Sequence, residues 1–571
     1  MPKTLKKKTG QNDDGIKKYS HLEHVLKIPD TYIGSVEKTQ ENHWYFNQEK
    51  GIMERKLISY TPGEYKIFDE ILVNALDQVV RIFQRIQNGE KGLKPVKNIW
   101  IEVEQEAGCI KVKNDGEGIS IKKHSEEGIY IPELIFGHLL TSGNYEKKGK
   151  ITGGKNGYGG KLANIFSTKF IVETVNHKDK KKYIQTFTNN MKDKEEPIIT
   201  KSSSSPYTQI TYYPDFKKFG SENMEEDMIT LIKKRVYDAA GITDKSVNIY
   251  YNGEKLVNNN FEKYVNLYIG DSPRVYSEFG ERWSICIATS PTQQFEQISF
   301  VNGITTYQGG KHVEYITNQV SKKLSEYIAK KKKITVKTGH IKENMLVFIR
   351  SLIDDPGFNS QVKEFLTTPI SKFGSKCNID DKFIEKIATK TDLMDSAIKL
   401  AEFKDNKNLK KTDGKKKTTL RGIPKLDDAN WAGGPKSHLC TLILTEGDSA
   451  KSLALSGLSV IGRDKWGVFP LKGKVLNVKG DEKNLINKIA ENSEINNIKK
   501  IIGLQTGKKY TSIKDLRYGS VMFLTDQDQD GSHIKGLLFN LFQSLWPELF
   551  RMENFIKSML TPIVKVSKGK T

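Results

Sequence analysis

The sequence predicts a multi-domain chain of the α/β class, built from mixed α+β units, and three observations predict it. The chain has 571 residues, whereas compact domains usually run to about 100–200, so three or four are expected. Two short apolar runs, in CTLILTEGDSA (Cys440–Ala450) and SVMFLTDQDQDG (Ser520–Gly531), each end in acidic residues, as strands do that deliver carboxylates to the carboxyl edge of an α/β sheet. Between residues 65 and 166 an amphipathic helical pattern, a strand with a glycine turn and a glycine-rich loop running into a helix follow in order.

The balance of 91 Lys and Arg against 69 Asp and Glu leaves a net charge of +22, which favours a polyanionic partner, nucleic acid before membrane. Cys109, Cys286, Cys377 and Cys440 form no CxxC pair and sit mostly in apolar contexts, so they read as reduced and structural, in an intracellular setting, either the nucleus or a viral or cytoplasmic DNA compartment. No apolar run approaches the roughly 18 residues needed to span a bilayer, and no signal peptide opens the chain. Residues 1–20 read as a basic, solvated arm.

The first structured pattern is YKIFDEILVNALDQVVRIF, Tyr65–Phe83, whose apolar residues Ile67, Phe68, Ile71, Leu72, Ala75, Leu76 and Val79 recur at helical spacing. Glu70 and Asn74 are four apart and therefore neighbours on one helix face. A carboxylate there can orient a water for attack on a phosphate, and an amide oxygen beside it can bind Mg²⁺. In NDGEGI, Asn114–Ile119, Asp115 closes a strand while Gly116 and Gly118 let the backbone approach a flat ligand. A carboxylate at that point accepts a hydrogen bond from an exocyclic amine, the feature that separates adenine from guanine.

LLTSGNY (Leu139–Tyr145) and ITGGKNGYGGKLANIF (Ile151–Phe166) follow. Glycines leading into LANIF place backbone amides at a helix start, where they can cradle phosphates. The loop is not a P-loop, because Leu162 follows Lys161 and no glycine lies five residues before Gly160, and it lacks the GxGxxG spacing of a dinucleotide fold.

Beyond about Ser202 a serine run and the strand patterns TQITYYP, SVNIYYN, WSICIA and QISFVNG introduce a second α/β unit. FVNGITTYQGGKHVEYI, the lysine run Lys330–Lys333 and DDPGFNSQVKEFL come next. From Lys404 to Lys417 seven lysines stand in little apolar content, which reads as a solvated linker or DNA-facing stretch.

The last unit holds the acids. Asp526, Asp528 and Asp530 alternate after the apolar run Val521–Leu524; in an extended segment they converge on one side and, with Glu446, could hold a hard cation. DQDQDG also opens like an EF-hand loop, but the twelfth position, where that loop needs Glu, is Leu537.

The order EILVNA, NDGEGI, LLTSGNY, GGKNGYGGKL resembles the ATP site of the gyrase, heat-shock chaperone, histidine kinase and mismatch-repair (GHKL, or Bergerat) superfamily. More narrowly, PDTYIGSVE, KIFDEILVNA, YIPELIFGHLLTSGNY and NGYGGKLANIFSTKF are similar to type IIA DNA topoisomerases of the eukaryotic and large-DNA-virus kind, and the pairing TEGDSA with DQDQDG resembles their Toprim domain. The resemblance implies a GHKL ATPase domain at 21–235, a ribosomal-S5-like transducer at 236–400, a lysine-rich linker at 401–436 and a Toprim domain at 437–571.

It further implies that Glu70 is the general base, Asn74 a magnesium ligand, Asp115 the adenine contact, and Ser142 and Asn144 ribose or phosphate contacts. The loop of Gly154, Lys155, Asn156, Gly157, Tyr158, Gly159, Gly160 and Lys161 then holds the triphosphate. Gln361 and Lys363 reach the γ-phosphate from the transducer, making the two domains a nucleotide-sensitive hinge. Glu446, Asp526, Asp528 and Asp530 hold Mg²⁺ beside the scissile DNA phosphate, and Lys472 and Lys474, in FPLKGKVLNV, lie on DNA phosphates.

The sequence departs from the family pattern at Gly143, Gly160, Lys155, Gln78 and Val362, and Ile16 stands where the arm usually offers a Tyr to the other protomer. The cleavage tyrosine of the family lies in a winged-helix domain after the Toprim region and is expected outside this chain, in the rest of the enzyme or a second subunit. The expected function is therefore ATP-driven passage of one DNA duplex through another by a homodimer joined through its ATPase domains, with this chain alone an ATPase. The alternative is an ATP-dependent DNA clamp without cleavage. A chaperone or mismatch-repair ATPase leaves the Toprim acids unexplained, and a primase or nuclease leaves the first four hundred residues unexplained.

Overall fold

The computed structural model describes residues 17–141, 149–154, 157–479, 485–560, 566 and 568–569. It divides into two compact units, Met1–Leu324 with Ile341–Met394, and Ser325–His340 with Asp395–Thr571.

In the first unit the hairpin β1 (Thr39–Asn47) and β2 (Ile52–Tyr60) leads into helix α1 (Pro62–Gln87). Pro62 starts that helix where a missing N–H costs nothing, and its apolar stripe is buried from Ile67 to Ile82. Next come β3 (Asn98–Glu104), β4 (Cys109–Asp115), helix α2 (Gly159–Ile165), β5 (Ser167–Asn176), β6 (Lys181–Thr188), β7 (Asp193–Lys194), β8 (Ile198–Lys201) and β9 (Tyr207–Pro214). Helix α3 (Glu226–Ile242), β10 (Asn248–Tyr251) and β11 (Glu254–Lys255) complete a sheet of order β11-β10-β3-β4-β9-β5-β6-β7, with β8 on β6. Packed against this sheet, α1, α2 and α3 contribute to one apolar core through residues such as Phe68, Leu162 and Val236.

The boundary expected at 235/236 does not hold. It falls inside α3, and β10 pairs in parallel with β3, Ile249 beside Ile99. A parallel pairing closes over a long connection, so the serine run at 202–205 gave no warning that the first sheet had one more strand pair to come. The second sheet begins at β12 (Arg274–Phe279) and continues with β13 (Trp283–Thr289), β14 (Glu296–Val301), β15 (Ile304–Thr305) and, after helix α4 (Lys311–Lys332), β17 (Met345–Ser351), in the order β12-β13-β17-β14-β15. A two-stranded patch joins β16 (Gly309–Gly310) to β18 (Phe365–Leu366).

In the second unit helix α5 (Leu393–Lys411) precedes the parallel sheet β20-β19-β21-β22, formed by β19 (Thr441–Thr445), β20 (Trp466–Pro470), β21 (Ser520–Leu524) and β22 (Ile556–Ser558). β19 is TLILT and buried at every position, as a central parallel strand covered on both faces must be. Helix α6 (Asp448–Ile461) follows β19, and helix α7 (Gln529–Leu545) follows β21.

The stretch 401–436 is not a solvated linker. Leu409, Ala429 and Ala432 are buried in the core of the second unit, Asp427 and Val468 exchange backbone hydrogen bonds at 2.9 and 2.8 Å, and the Asp428 carboxylate accepts from the buried Arg517 and from Tyr518 Oη. Its lysines mark solvent-facing positions on a packed segment, and composition alone does not separate these two cases. All four cysteines are free and buried. Burial pushes the Cys286 and Cys377 thiols up to about 12 and the Cys440 thiol to about 11, which makes them unreactive.

Candidate functional site: a nucleotide-type cavity and an acidic sheet edge

A cavity of about 820 Å³ opens in the first unit between α1, α2, β4 and the segment before β18. Its wall brings together Glu70, Asn74, Gly154, Gly157, Tyr158, Gly159, Gly160, Lys161, Gln361 and Lys363. Ser142, Asn144, Lys155 and Asn156 lie outside the described residues, as do Ile16 and Gly143.

The charges gathered around Glu70 are buried and mutually compensated. Glu70 is 3% exposed and its Oε1 lies 2.9 Å from Lys66 Nζ and 3.0 Å from Lys363 Nζ. Burial by itself raises a carboxyl pKa, but the Lys363 and Lys66 ammoniums outweigh it and hold Glu70 below its ordinary value. Lys66 also reaches Asp69 at 3.1 Å, and Asp69 Oδ1 accepts from Arg235 at 2.8 Å, so an ionic chain runs from α3 to Glu70. Lys363 adopts a left-handed backbone, φ +68°, in the turn its N–H closes on Ser360. A non-glycine residue held there stores strain, as residues of working sites do.

The glycine-rich loop is tied down by a residue that the motif reading missed. The Asp77 carboxylate accepts from the N–H groups of Gly153 (2.7 Å) and Gly154 (2.8 Å). Lys161 donates to the carbonyls of Thr141 (2.7 Å) and Gly157 (2.6 Å); among the described residues no carboxylate pairs with it, and burial pushes its pKa down to about 8. Two glycines are required by contact. A Cβ on Gly159 would strike Glu70 Oε2, and one on Gly160 would come within 2.8 Å of the buried Phe136 ring, which accounts for Gly160 where the family usually carries Ala. Lys66, Glu70, Asn74, Asp77 and Arg81 recur at i+4, i+4, i+3, i+4 along α1, and this polar stripe is the signal that could have found Lys66 and Asp77.

Asp115 does not face the cavity. Its Oδ1 accepts from the N–H groups of Lys97 (2.7 Å) and Asn98 (2.9 Å), and its Oδ2 from Asn98 Nδ2 (2.7 Å). The cavity wall carries Val112 and Asn114 instead. Strand side chains alternate, so a shift of one residue changes the face, and Asn114 is the polar strand residue on the cavity side.

The acidic site of the second unit is built differently. The parallel register sets Pro470 and Leu524 beside Thr445, so Glu446, Lys472 and Asp526 all emerge from one edge. Asp526 N–H donates to Glu446 Oε2 at 3.2 Å. The three aspartates do not converge along an extended strand, because β21 ends at Leu524. Asp528 is the N-cap of α7, accepting from Gly531 N–H at 2.7 Å, and Asp530 lies in the first helical turn, paired with Lys474 at 3.0 Å. Among the described residues no three His, Cys, Asp or Glu side chains stand close enough to hold a metal ion together. The Glu446–Asp526 pair nonetheless fits a hard cation, since Mg²⁺ binds through one or two carboxylates and keeps several waters.

Comparisons with known proteins agree with this geometry. The DNA gyrase B family model matches residues 231–417 and the Toprim domain model residues 441–556. The chain is 47% identical over 561 residues to DNA topoisomerase 2 of Pisum sativum, covering 96% of this chain and 37% of the relative. It is 46% identical over 560 residues to DNA topoisomerase 2 of Acanthamoeba polyphaga mimivirus, covering 96% and 43%. It thus spans well under half the length of these relatives. The crystal structure of the ATPase region of Saccharomyces cerevisiae topoisomerase II superposes with a TM-score of 0.63 at 45% identity, over 68% of this chain and 99% of that one.

Proposed function

The chain belongs to the DNA topoisomerase II family, and from that premise we propose that it is the ATPase and metal-binding Toprim portion of a type II DNA topoisomerase. The observation that carries the reading is the buried contact of Lys363 with Glu70, residues 293 positions apart. It joins the segment that follows the second sheet to the base on α1 inside one cavity.

In this reading ATP enters the cavity with its adenine toward Asn114 and its phosphates on the loop that Asp77 anchors. Lys363 exchanges Glu70 for the terminal phosphate. Glu70 thereby loses one of its two cationic partners, its pKa rises, and it becomes a stronger base toward an attacking water. Hydrolysis removes the phosphate and returns Lys363 to Glu70, so the ion pair reports the nucleotide state to the second sheet. Mg²⁺, when bound at Asn74 or at Glu446 and Asp526, supplies charge neutralisation for the phosphate oxygens. Lys472 binds a DNA phosphate beside that edge, and Lys474 does so by leaving Asp530. Double-stranded DNA is the partner, the chain acts as a homodimer through its ATPase domains, and the remaining part of the enzyme supplies the cleavage tyrosine. The setting is an intracellular DNA compartment.

The test is relaxation and cleavage of supercoiled plasmid by this chain with and without a fragment carrying the winged-helix tyrosine, using Glu70→Ala and Asp526→Ala as controls. Relaxation only in the reconstituted mixture, lost in both variants, is expected. ATP hydrolysis and DNA binding with no cleavage from any tyrosine-bearing fragment would replace the reading with that of a DNA clamp.

A further inference from the structure

A second cavity of about 460 Å³ lies in the first unit, between the β1–β2 hairpin, the start of α1 and the β14–β15 hairpin. It shares a wall with the nucleotide-type cavity: along one segment Gln361 and Lys363 line the first cavity, while Val362 and Glu364 line the second. We propose that the second cavity binds a small planar organic cation of the amidine or guanidine class, and that its occupancy is transmitted to the first cavity through residues 361–364.

The charge of the cavity decides the ligand class. Each lysine or arginine in its wall already has an acid: Arg55 meets Glu296 at 2.6 Å, Lys66 meets Asp69 and Glu70, and Lys234 meets Asp238 at 2.8 Å. Glu41 and Glu364 are left without such a partner among the described residues. The ring nitrogen nearest to Glu41 is His43 Nε2 at 3.4 Å, and burial lowers the pKa of that ring. Glu364 accepts from the neutral amide of Gln308 at 2.7 Å, and burial and then the Glu41 charge raise its pKa. Two carboxylates in one cavity repel each other, and a cation between them removes that repulsion.

The neutral polar atoms of the wall point the same way. Gln297 donates both ways from Nε2, to the carbonyls of Thr306 (3.1 Å) and Tyr307 (2.9 Å), which leaves Oε1 as an acceptor. That oxygen and the hydroxyl of Thr305, a residue 8% exposed, are buried without a hydrogen-bond partner among the described residues. Buried unpaired polar atoms cost about 1–3 kcal/mol each. His43, Tyr60 and Tyr307 line the space, the His43 ring meeting the other two edge-to-face with ring centroids 4.9 Å (His43–Tyr60) and 6.1 Å (His43–Tyr307) apart. A flat ligand carrying several N–H donors and a delocalised positive charge satisfies both sets of groups.

Benzamidine is the probe. It is titrated into the full chain saturated with ADP and followed by calorimetry, with benzoate as the counterpart of opposite charge. Saturable binding of one benzamidine is expected, weakened about tenfold by Glu364→Gln and by Glu41→Gln, with no binding of benzoate. Bound benzamidine should also protect Glu364 of the unaltered chain from carbodiimide modification read by mass spectrometry, which needs no variant to fold. Affinity unchanged in both variants, equal binding of benzoate, displacement of benzamidine by ADP, or unprotected Glu364 would each overturn the site. The coupling rests on the ATPase reading: a ligand holding Glu364 keeps Lys363 on Glu70, so benzamidine should lower kcat for ATP several-fold with KM unchanged. Binding with an unaltered kcat would overturn the coupling and leave the site standing, and a chain without ATPase activity would fail the earlier reading alone.

Discussion

The nucleotide-type cavity and the acidic sheet edge both assemble acids from distant segments, yet they do so under opposite physical regimes. In the cavity Glu70, Lys66, Lys363 and Asp69 are all buried, and each charge has a partner within 3.1 Å. Burial leaves no alternative, because an unpaired buried charge costs several kcal/mol. At the sheet edge Asp526, Asp528 and Asp530 are exposed, so water screens them and nothing forces them together. The first site is preorganised by its own ion pairs, whereas in the proposed reading the second is gathered by the cation it would bind.

The largest expected effect tests the preorganised side. Glu70→Gln should lower kcat for ATP hydrolysis by about a thousandfold in a steady-state phosphate-release assay, with KM for ATP little changed, because the Lys66 and Lys363 ammoniums remain in place. An effect under tenfold would remove Glu70 from the role of base. On the gathered side, calorimetric titration with Mg²⁺ should show Asp526→Ala weakening the metal by at least about tenfold, or 1.4 kcal/mol, while Asp530→Ala changes it less than about twofold, since Lys474 already engages that carboxylate. Equal losses in the two variants would mean that the cation draws Asp530 off its lysine.

Asp77→Asn should raise KM for ATP by about tenfold and leave kcat nearly intact, because a single amide oxygen replaces the two carboxylate oxygens that hold the Gly153 and Gly154 N–H groups. A fall in kcat with unchanged KM would contradict a positioning role. The smallest effect is a pH dependence. Lys161 is held at about 8 without ligand, and a bound phosphate raises it. Nucleotide affinity should therefore be level below pH 8 and fall as pH rises above it, by up to about tenfold per unit, with the fall absent in Lys161→Arg. Affinity that stays level between pH 8 and 9.5 would show that Lys161 does not meet the phosphates.

The same contrast governs how far each site could be read in advance. The helix bearing Glu70 and Asn74 was legible because a buried face leaves a 3.6-residue period in the text, and the loop of Gly157 to Lys161 because close backbone approach demands glycine. Asp115 was misread for Asn114 because the face of the last residues in a strand depends on the pairing partner, here β9, as much as on the local pattern. Asp528 and Asp530 were misread because an alternating acid run looks the same whether it continues a strand or caps a helix. The lysine-rich stretch was misread because Arg517 and Tyr518, which hold Asp428, lie about ninety positions further on.

What the sequence by itself determined was the class of each unit, the glycine-rich and acidic motifs, and the identity of the groups able to do phosphate chemistry. These follow from periodicity and from the few residue types that such chemistry admits. Only the tertiary structure decided which of those groups share a cavity: that Lys363 lies on Glu70, that Asp77 holds the loop, that Asn114 lines the cavity and Asp115 does not. Such pairings are set by sheet register and by the need to compensate the charges buried around Glu70, and both are properties of the folded chain that no local window contains.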